Sequence, residues 1–167
     1  MTPNPSNLSQ IAVFDHRFRA LHERSAAAVE CVPSNKLFVN PAKEQATLIT
    51  FSFGESVLRS AAAVEQTFGG ITTRLWDDPF EWTLPEELST KAKITSYLTD
   101  VEQTRLKGFR SLTSDADLFK QLPAPEKLIS ILELLLETLA RAEHLQGRAF
   151  AVLQIVSAKP LPRSLMP

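Results

Sequence analysis

The placement of proline constrains this chain more than any other feature of its sequence. Eleven prolines stand at positions 3 and 5, 33 and 41, 79 and 85, 123 and 125, and 160, 162 and 167. The proline ring fixes φ, removes a backbone donor and collides with the preceding turn, at a cost of about 3 kcal/mol inside a helix. The clusters therefore mark connections and leave four proline-free intervals, 6–32, 42–78, 86–122 and 126–159. Each interval is long enough for a helix of several turns. None carries the short alternating runs bounded by Asn-Gly or Asp-Gly that mark hairpins. The expectation is an all-α chain with helices over about 7–32, 45–71, 85–110 and 125–156.

Apolar spacing supports this division. In the first interval Ile11, Phe14, Phe18, Leu21, Ser25, Ala28 and Val32 recur every three or four residues, with Asp15, Arg17, Arg19, Glu23 and Arg24 largely off that seam. Val57, Leu58, Ala61, Val64, Phe68 and Ile71 do the same in the second, where Gly69-Gly70 predicts a weakening of the helix. The third opens with Leu84-Pro85-Glu86-Glu87, a composition suited to a helix N-terminus and its dipole, and continues through Leu88, Leu98, Val101 and Phe109. The fourth starts at Pro125-Glu126 and carries Leu128, Ile131, Leu132, Leu135, Leu139, Ala142, Leu145, Ala149 and Val152. Its wide apolar girth predicts burial on more than one side. Four such helices sharing one core form a bundle, with long connections between helices 1 and 2 and between helices 2 and 3. The second connection holds Trp76, Phe80 and Trp82, which either pack over a bundle end or form a lid.

Composition bounds the possible roles. A chain of 167 residues, 44% apolar and 22% charged, suits one domain, residues 1–167, that buries about 70% of its unfolded surface. Eighteen basic against nineteen acidic residues leave a net charge of −1, so no global field gathers nucleic acid or an anionic bilayer. Cys31, the sole cysteine, has no partner for an internal disulfide and cannot build a thiolate cage. At the end of helix one the dipole disfavours its thiolate, so it reads as a small core residue before a nucleophile. The start of the chain shows no basic segment followed by an apolar one, and the expected compartment is the cytoplasm.

The segment Glu143-His144-Leu145-Gln146-Gly147-Arg148-Ala149-Phe150 resembles the helix-four signature of the DinB-like (YfiT-like) superfamily, approximately His-Glu-x-His-His-Arg-Gly-Gln-Leu. Gly147 sets the alignment. Leu58-Arg59-Ser60-Ala61-Ala62-Ala63-Val64-Glu65 is similar to the helix-two pattern Leu-Arg-His-Ile-Ala-x-x-Glu, and the Asp77-Asp78-Pro79 loop, the start at Leu84 and the stretch 112–118 look similar too. The resemblance implies an up-down-down-up bundle, frequently a homodimer, with a divalent metal such as zinc or nickel on three histidines, and thiol-dependent transferase, isomerase or hydrolase chemistry.

The positions matching those ligands are Ser60, Arg141 and Leu145. Serine is a poor ligand at neutral pH, leucine has no donor atom, and arginine stays protonated. No cofactor is therefore expected, and a metal site relocated to His22, Glu65 and His144 is the alternative. His16 and His22 read as solvated, and His144 as a surface or interface histidine. Arg141 has two readings: a buried pair with Glu65, Glu137 or, less directly, Glu102 at the polar centre of the bundle, or a stem that reaches solvent. Ser60, Glu65, Arg141 and His144 are thus the candidate ligand-binding residues. A closed apolar pocket ending at Arg141 and Ser60 would indicate a small acidic ligand, and a filled core a scaffold. The expected role is a metal-free small-ligand-binding or dimeric assembly module. A thiol-dependent transferase using Arg141 to stabilise a thiolate, or a metal-assisted hydrolase, is the alternative.

Overall fold

Four long helices and one short hairpin make up the computed structural model, which describes residues 9–41, 51–77 and 87–157 together with 160, 162 and 165. Helix α1 spans Gln10–Cys31, α2 Phe53–Thr73, α3 Lys91–Arg110 and α4 Ile131–Val156. Between α3 and α4 lie β1, Gln121–Pro123, and β2, Leu128–Ser130, paired antiparallel with Leu122 opposite Ile129. No helix among the described residues is long and apolar enough to cross a membrane.

Helix boundaries follow capping chemistry more closely than proline positions. Helix α4 does not begin at Pro125-Glu126, which lie in the turn of the hairpin. It begins after Ser130, whose Oγ accepts the Glu133 N–H at 3.2 Å. The strands escape periodicity because each is three residues long, with only Leu122 and Ile129 pointing inward. Helix α2 starts at Phe53 instead of 45: the Ser52 Oγ accepts from the Glu55 N–H while the Glu55 carboxylate accepts from the Ser52 N–H, a reciprocal capping box. Residues 45–50 lie outside the described residues. Gly69-Gly70 do not interrupt α2, which continues to Thr73 and ends at Arg74 in a left-handed conformation, φ 63°. Helix α3 begins after Thr90, and Glu87-Leu88 form a turn, while residues 84–86 lie outside the described residues. The α1 N-terminus is capped from a distance: the Asp115 carboxylate accepts from Ser9 Oγ at 2.5 Å and from the Gln10 and Ile11 N–H groups. The Ser9 bond, then those two, hold its pKa below the ordinary carboxylate value.

Both α1 and α2 pack against α3 and α4, and they touch each other little. Most of the predicted seams are buried: Phe18, Leu21 and Ala28 of α1 with Val32 just after it, Val57, Leu58, Ala61, Val64, Phe68 and Ile71 of α2, Leu98, Val101 and Phe109 of α3, and Ile131, Leu135, Ala142, Leu145, Ala149 and Val152 of α4; Leu128, expected on the last seam, lies in β2 and is exposed. Each fully buried leucine or phenylalanine contributes about 1.5–3 kcal/mol relative to exposure. The most enclosed helix is α2, not α4. Its buried residues include the polar Ser56, Ser60 and Thr67, whereas α4 leaves Leu136 and Ile155 exposed. At the centre Phe18, Phe68 and Phe109 meet with ring centroids 5.0–5.9 Å apart. Gly108 admits this cluster, since a Cβ there would overlap the Phe68 ring.

Candidate functional site

Among the described residues the buried arginine is Arg105, not Arg141. Arg105 follows Leu98 and Val101 and precedes Phe109 at helical spacing, so its side chain enters the α3 seam, where it is 1% exposed. Its Nε and Nη2 donate to the two oxygens of Glu102 at 2.7 Å each, and Nη1 donates to Asp15 Oδ1 at 2.5 Å. The guanidinium also lies 5.4 Å from the Phe109 ring centroid. Burial alone would lower its pKa, but its hydrogen bonds to Glu102 and Asp15 outweigh that, and the group is held above its ordinary value. It is a permanent charge clamping α1 to α3.

Beside it Ser60, His22, Ser25, Glu102 and Arg105 border a void of about 20 Å³, room for roughly one water molecule. Ser60 is buried and donates its hydroxyl proton to the Ala142 carbonyl at 2.9 Å, tying α2 to α4. Gln146, also buried, donates from Nε2 to the Leu21 carbonyl and to Ser25 Oγ, both at 2.7 Å. Ser25 therefore belongs on the α1 seam as a polar member with a partner.

The four candidate residues do not converge. Glu65 accepts from the Tyr97 hydroxyl at 2.6 Å, and His144 stands exposed on the outer face of α4, as His16 does on α1. His22 is half-buried against the small void instead of solvated. Arg141 is exposed, and among the described residues it makes no ion pair with any of the proposed partners: Glu65 is held by Tyr97, Glu102 by Arg105, and Glu137 by Lys127 at 3.3 Å. Of the two readings of Arg141, the glutamate-paired centre is corrected, and the stem that reaches solvent is the one observed. The physical reason is that α4 turns residue 142 inward and residue 141 toward its rim. Ser60, Arg141 and Leu145 also fail as a metal set on their chemistry, being a hydroxyl engaged with a carbonyl, a cation and a hydrocarbon. No three His, Cys, Asp or Glu side chains among the described residues form a metal-holding group. Cys31 packs half-buried against the core.

Arg141 instead lines an open cleft of about 370 Å³ between α2, α4 and the hairpin. Ala63, Gln66 and Thr67 contribute from α2, Leu134, Glu137, Thr138 and Arg141 from α4, Ile129 from β2, and Glu126 and Lys127 from the turn of the hairpin. Trp76 forms one wall. Its ring edge lies against Gly70, where a Cβ would overlap it, and its Nε1 donates to the Pro123 carbonyl at 3.0 Å. The indole is thus fastened between the end of α2 and β1. Gln66 Nε2 donates to the Trp76 carbonyl at 3.1 Å and fixes the same segment from below. Trp82, with residues 78–86, lies outside the described residues. Ser60 is absent from the cleft lining, so the two ends of the anticipated pocket belong to different places: a one-water void and a solvent-open groove. Sequence spacing alone could have located Arg105, but nothing local connects Trp76 with Pro123, 47 residues away.

Comparison with protein-family models, curated proteins and solved structures returns no match for this chain.

Proposed function

We propose that this chain is a small-ligand-binding module whose site is the cleft between α2, α4 and the hairpin. One observation carries the reading: a cleft of about 370 Å³ holds the guanidinium of Arg141 with no carboxylate bound to it among the described residues. Pockets that enclose small molecules run from about 300 to 1,000 Å³, so this one suits a compact ligand. An arginine that faces such a space provides a forked donor for an anionic group, and small acids or acidic thiols are the corresponding class.

In the same proposal the helices form a DinB-like bundle in up-down-down-up order, a single cytoplasmic domain that works as a homodimer. The packing of both α1 and α2 on α3 and α4 supports the bundle, and the exposed Leu136 and Ile155 on α4 support a second copy. Metal-assisted thiol transfer is not part of the reading, because Ser60, Arg141 and Leu145 do not suit a divalent cation.

The test is a titration of ¹⁵N-labelled full-length protein with one-ring fragments of acidic, basic and neutral character and with N-acetylcysteine. The Trp76 indole N–H resonance, assigned by a Trp82→Phe variant, is expected to move with the binding members. If no fragment of any charge class shifts that resonance, the cleft is not a binding site.

A further inference from the structure

We infer that the cleft is shaped for a one-ring aromatic carboxylic acid bearing a hydroxyl or amine away from its carboxylate; this deepens the ligand-binding reading above and rests on it.

The floor is the deciding feature. Thr67 Oγ1 and Thr138 Oγ1 lie 2.7 Å apart, and Thr138 Oγ1 also donates to the Leu134 carbonyl at 2.7 Å. A hydroxyl has one proton. Since the Thr138 proton goes to Leu134, the proton between the two threonines must come from Thr67. Thr67 is then left with lone pairs and no proton, while both residues are buried. The neighbouring Gln66 amide has a defined orientation, because only its nitrogen can donate to the Trp76 carbonyl, and its oxygen remains an acceptor. The inner end of the cleft therefore asks its occupant for a proton. A phenolic hydroxyl or an aryl amine supplies one, whereas a carboxylate placed there would meet lone pairs.

The rim carries the cations Lys127 and Arg141 beside the carboxylates of Glu126 and Glu137. The Lys127 ammonium is engaged by Glu133 at 3.1 Å and by Glu137 at 3.3 Å, while Arg141 has no such partner among the described residues. The carboxylate of the ligand thus goes to Arg141, as an in-plane pair with the guanidinium. Arg141 follows Thr138 by three residues, a rise of about 4.5 Å along α4, so the acceptor floor and the Arg141 guanidinium belong to successive levels of one cleft wall. Between them Trp76 offers a flat apolar surface whose position is fixed at Gly70 and Pro123. A planar ring stacks on such a wall without ordering the indole further, and a puckered ring does not.

Isothermal titration of the full chain with four probes tests this: 4-hydroxybenzoate, benzoate, 4-hydroxybenzamide and cis-4-hydroxycyclohexanecarboxylate. The expected order places 4-hydroxybenzoate first, benzoate about fivefold weaker for want of the hydroxyl, and the amide about tenfold weaker for want of the charge. The puckered acid is also expected to be weaker. Arg141→Gln is expected to erase the preference for acid over amide. Thr67→Val is expected to erase only the preference for 4-hydroxybenzoate over benzoate, with Thr67→Ser restoring it. Equal affinities for the four probes, or preferences that survive these substitutions, overturn the inference. If none of the four binds but basic or aliphatic fragments move the Trp76 resonance, the inference fails and the binding site stands. If nothing in either panel binds, both fail.

Discussion

Replacing Arg105 by Met removes a cation sealed inside the helical core, and the structure sets the expected loss. The side chain is 1% exposed and makes three hydrogen bonds of 2.7 Å or less to carboxylates. Methionine fills a similar length of the α3 seam, so the principal penalty is the pair of negative charges left behind. Deleting one partner of a buried ion pair costs about 3–5 kcal/mol. Two features push this case to the lower end. Asp15 and Glu102 are 24% and 15% exposed, so each can recover some hydration, and Asp15 keeps Arg19 at 2.7 Å. The expected loss is therefore about 3 kcal/mol. With a urea slope of about 2 kcal/mol/M, the unfolding midpoint followed by circular dichroism falls by about 1.5 M.

The same reasoning says what should repair it. If stranded carboxylates cause the damage, adding Asp15→Asn and Glu102→Gln to Arg105→Met recovers most of the lost stability, although more native contacts have been deleted. Replacing a whole buried ionic cluster is often neutral, whereas breaking it is not. A single variant that loses less than about 1 kcal/mol, the range of an exposed pair, would refute the premise that Arg105 is desolvated. A triple variant no more stable than the single one would refute the account of the cost as stranded charge.

Other perturbations reach the ends of the helices and the cleft. The Asp117 carboxylate accepts from Lys120, from the Thr113 and Ser114 N–H groups and from the Thr113 hydroxyl, which hold its pKa far below the ordinary 3.8. Because the folded value is the lower one, its contribution is present above about pH 4 and disappears as pH falls toward the folded pKa; Asp117→Asn is expected to flatten the acid limb of stability below pH 4 in urea titrations at stepped pH, and an unchanged limb would refute the assignment. Gly70→Ala places a Cβ within the Trp76 ring, and the expected result is a red-shifted tryptophan emission with loss of probe binding; unaltered emission would show that the indole does not rest there. Ser130→Ala removes the α4 N-cap and should cost about 1 kcal/mol in urea unfolding, whereas a cost near zero would mean that the hairpin, not the hydroxyl, sets the start of α4.

Much of the helical core was legible because burial on a helix repeats every three to four residues, and the α1 seam from Phe18 to Val32 needed no other signal. Boundaries were less legible. Proline marks where a helix cannot run, but the first residue is set by a local bond, as at Ser52, Thr90 and Ser130, and these caps lie five to seven residues from the expected starts. The two strands carry one inward residue each, too few for any period. The interior cation has a different basis. Arg141 stands where the resemblance has a histidine, while Arg105 stands in plain helical register with Val101 and Phe109. Trp76 is different again: its wall depends on Gly70 and on a carbonyl in β1, a convergence that exists only after the hairpin has folded back.

The two polar assemblies of the molecule meet on adjacent residues of α2, and this bears on how they depend on each other. Phe68 faces α1 and α3 and completes the ring cluster that Arg105 covers through Phe109, while Thr67 faces α4 and passes its proton to Thr138. One residue is about 100° of helix rotation, so the acceptor floor of the cleft is backed directly by the aromatic core. A floor held in this way keeps its lone pairs aimed before any ligand arrives, which lowers the ordering cost of binding. Damage at the two places should nevertheless separate. Arg105→Met weakens the α1–α3 side, where no cleft residue lies, so it should lower global stability while leaving probe affinity nearly unchanged under folding conditions. Gly70→Ala disturbs a wall that carries little of the core, so it should do the reverse. If both substitutions lower affinity and stability in proportion, the cleft has no geometry of its own and α2 transmits every loss to it.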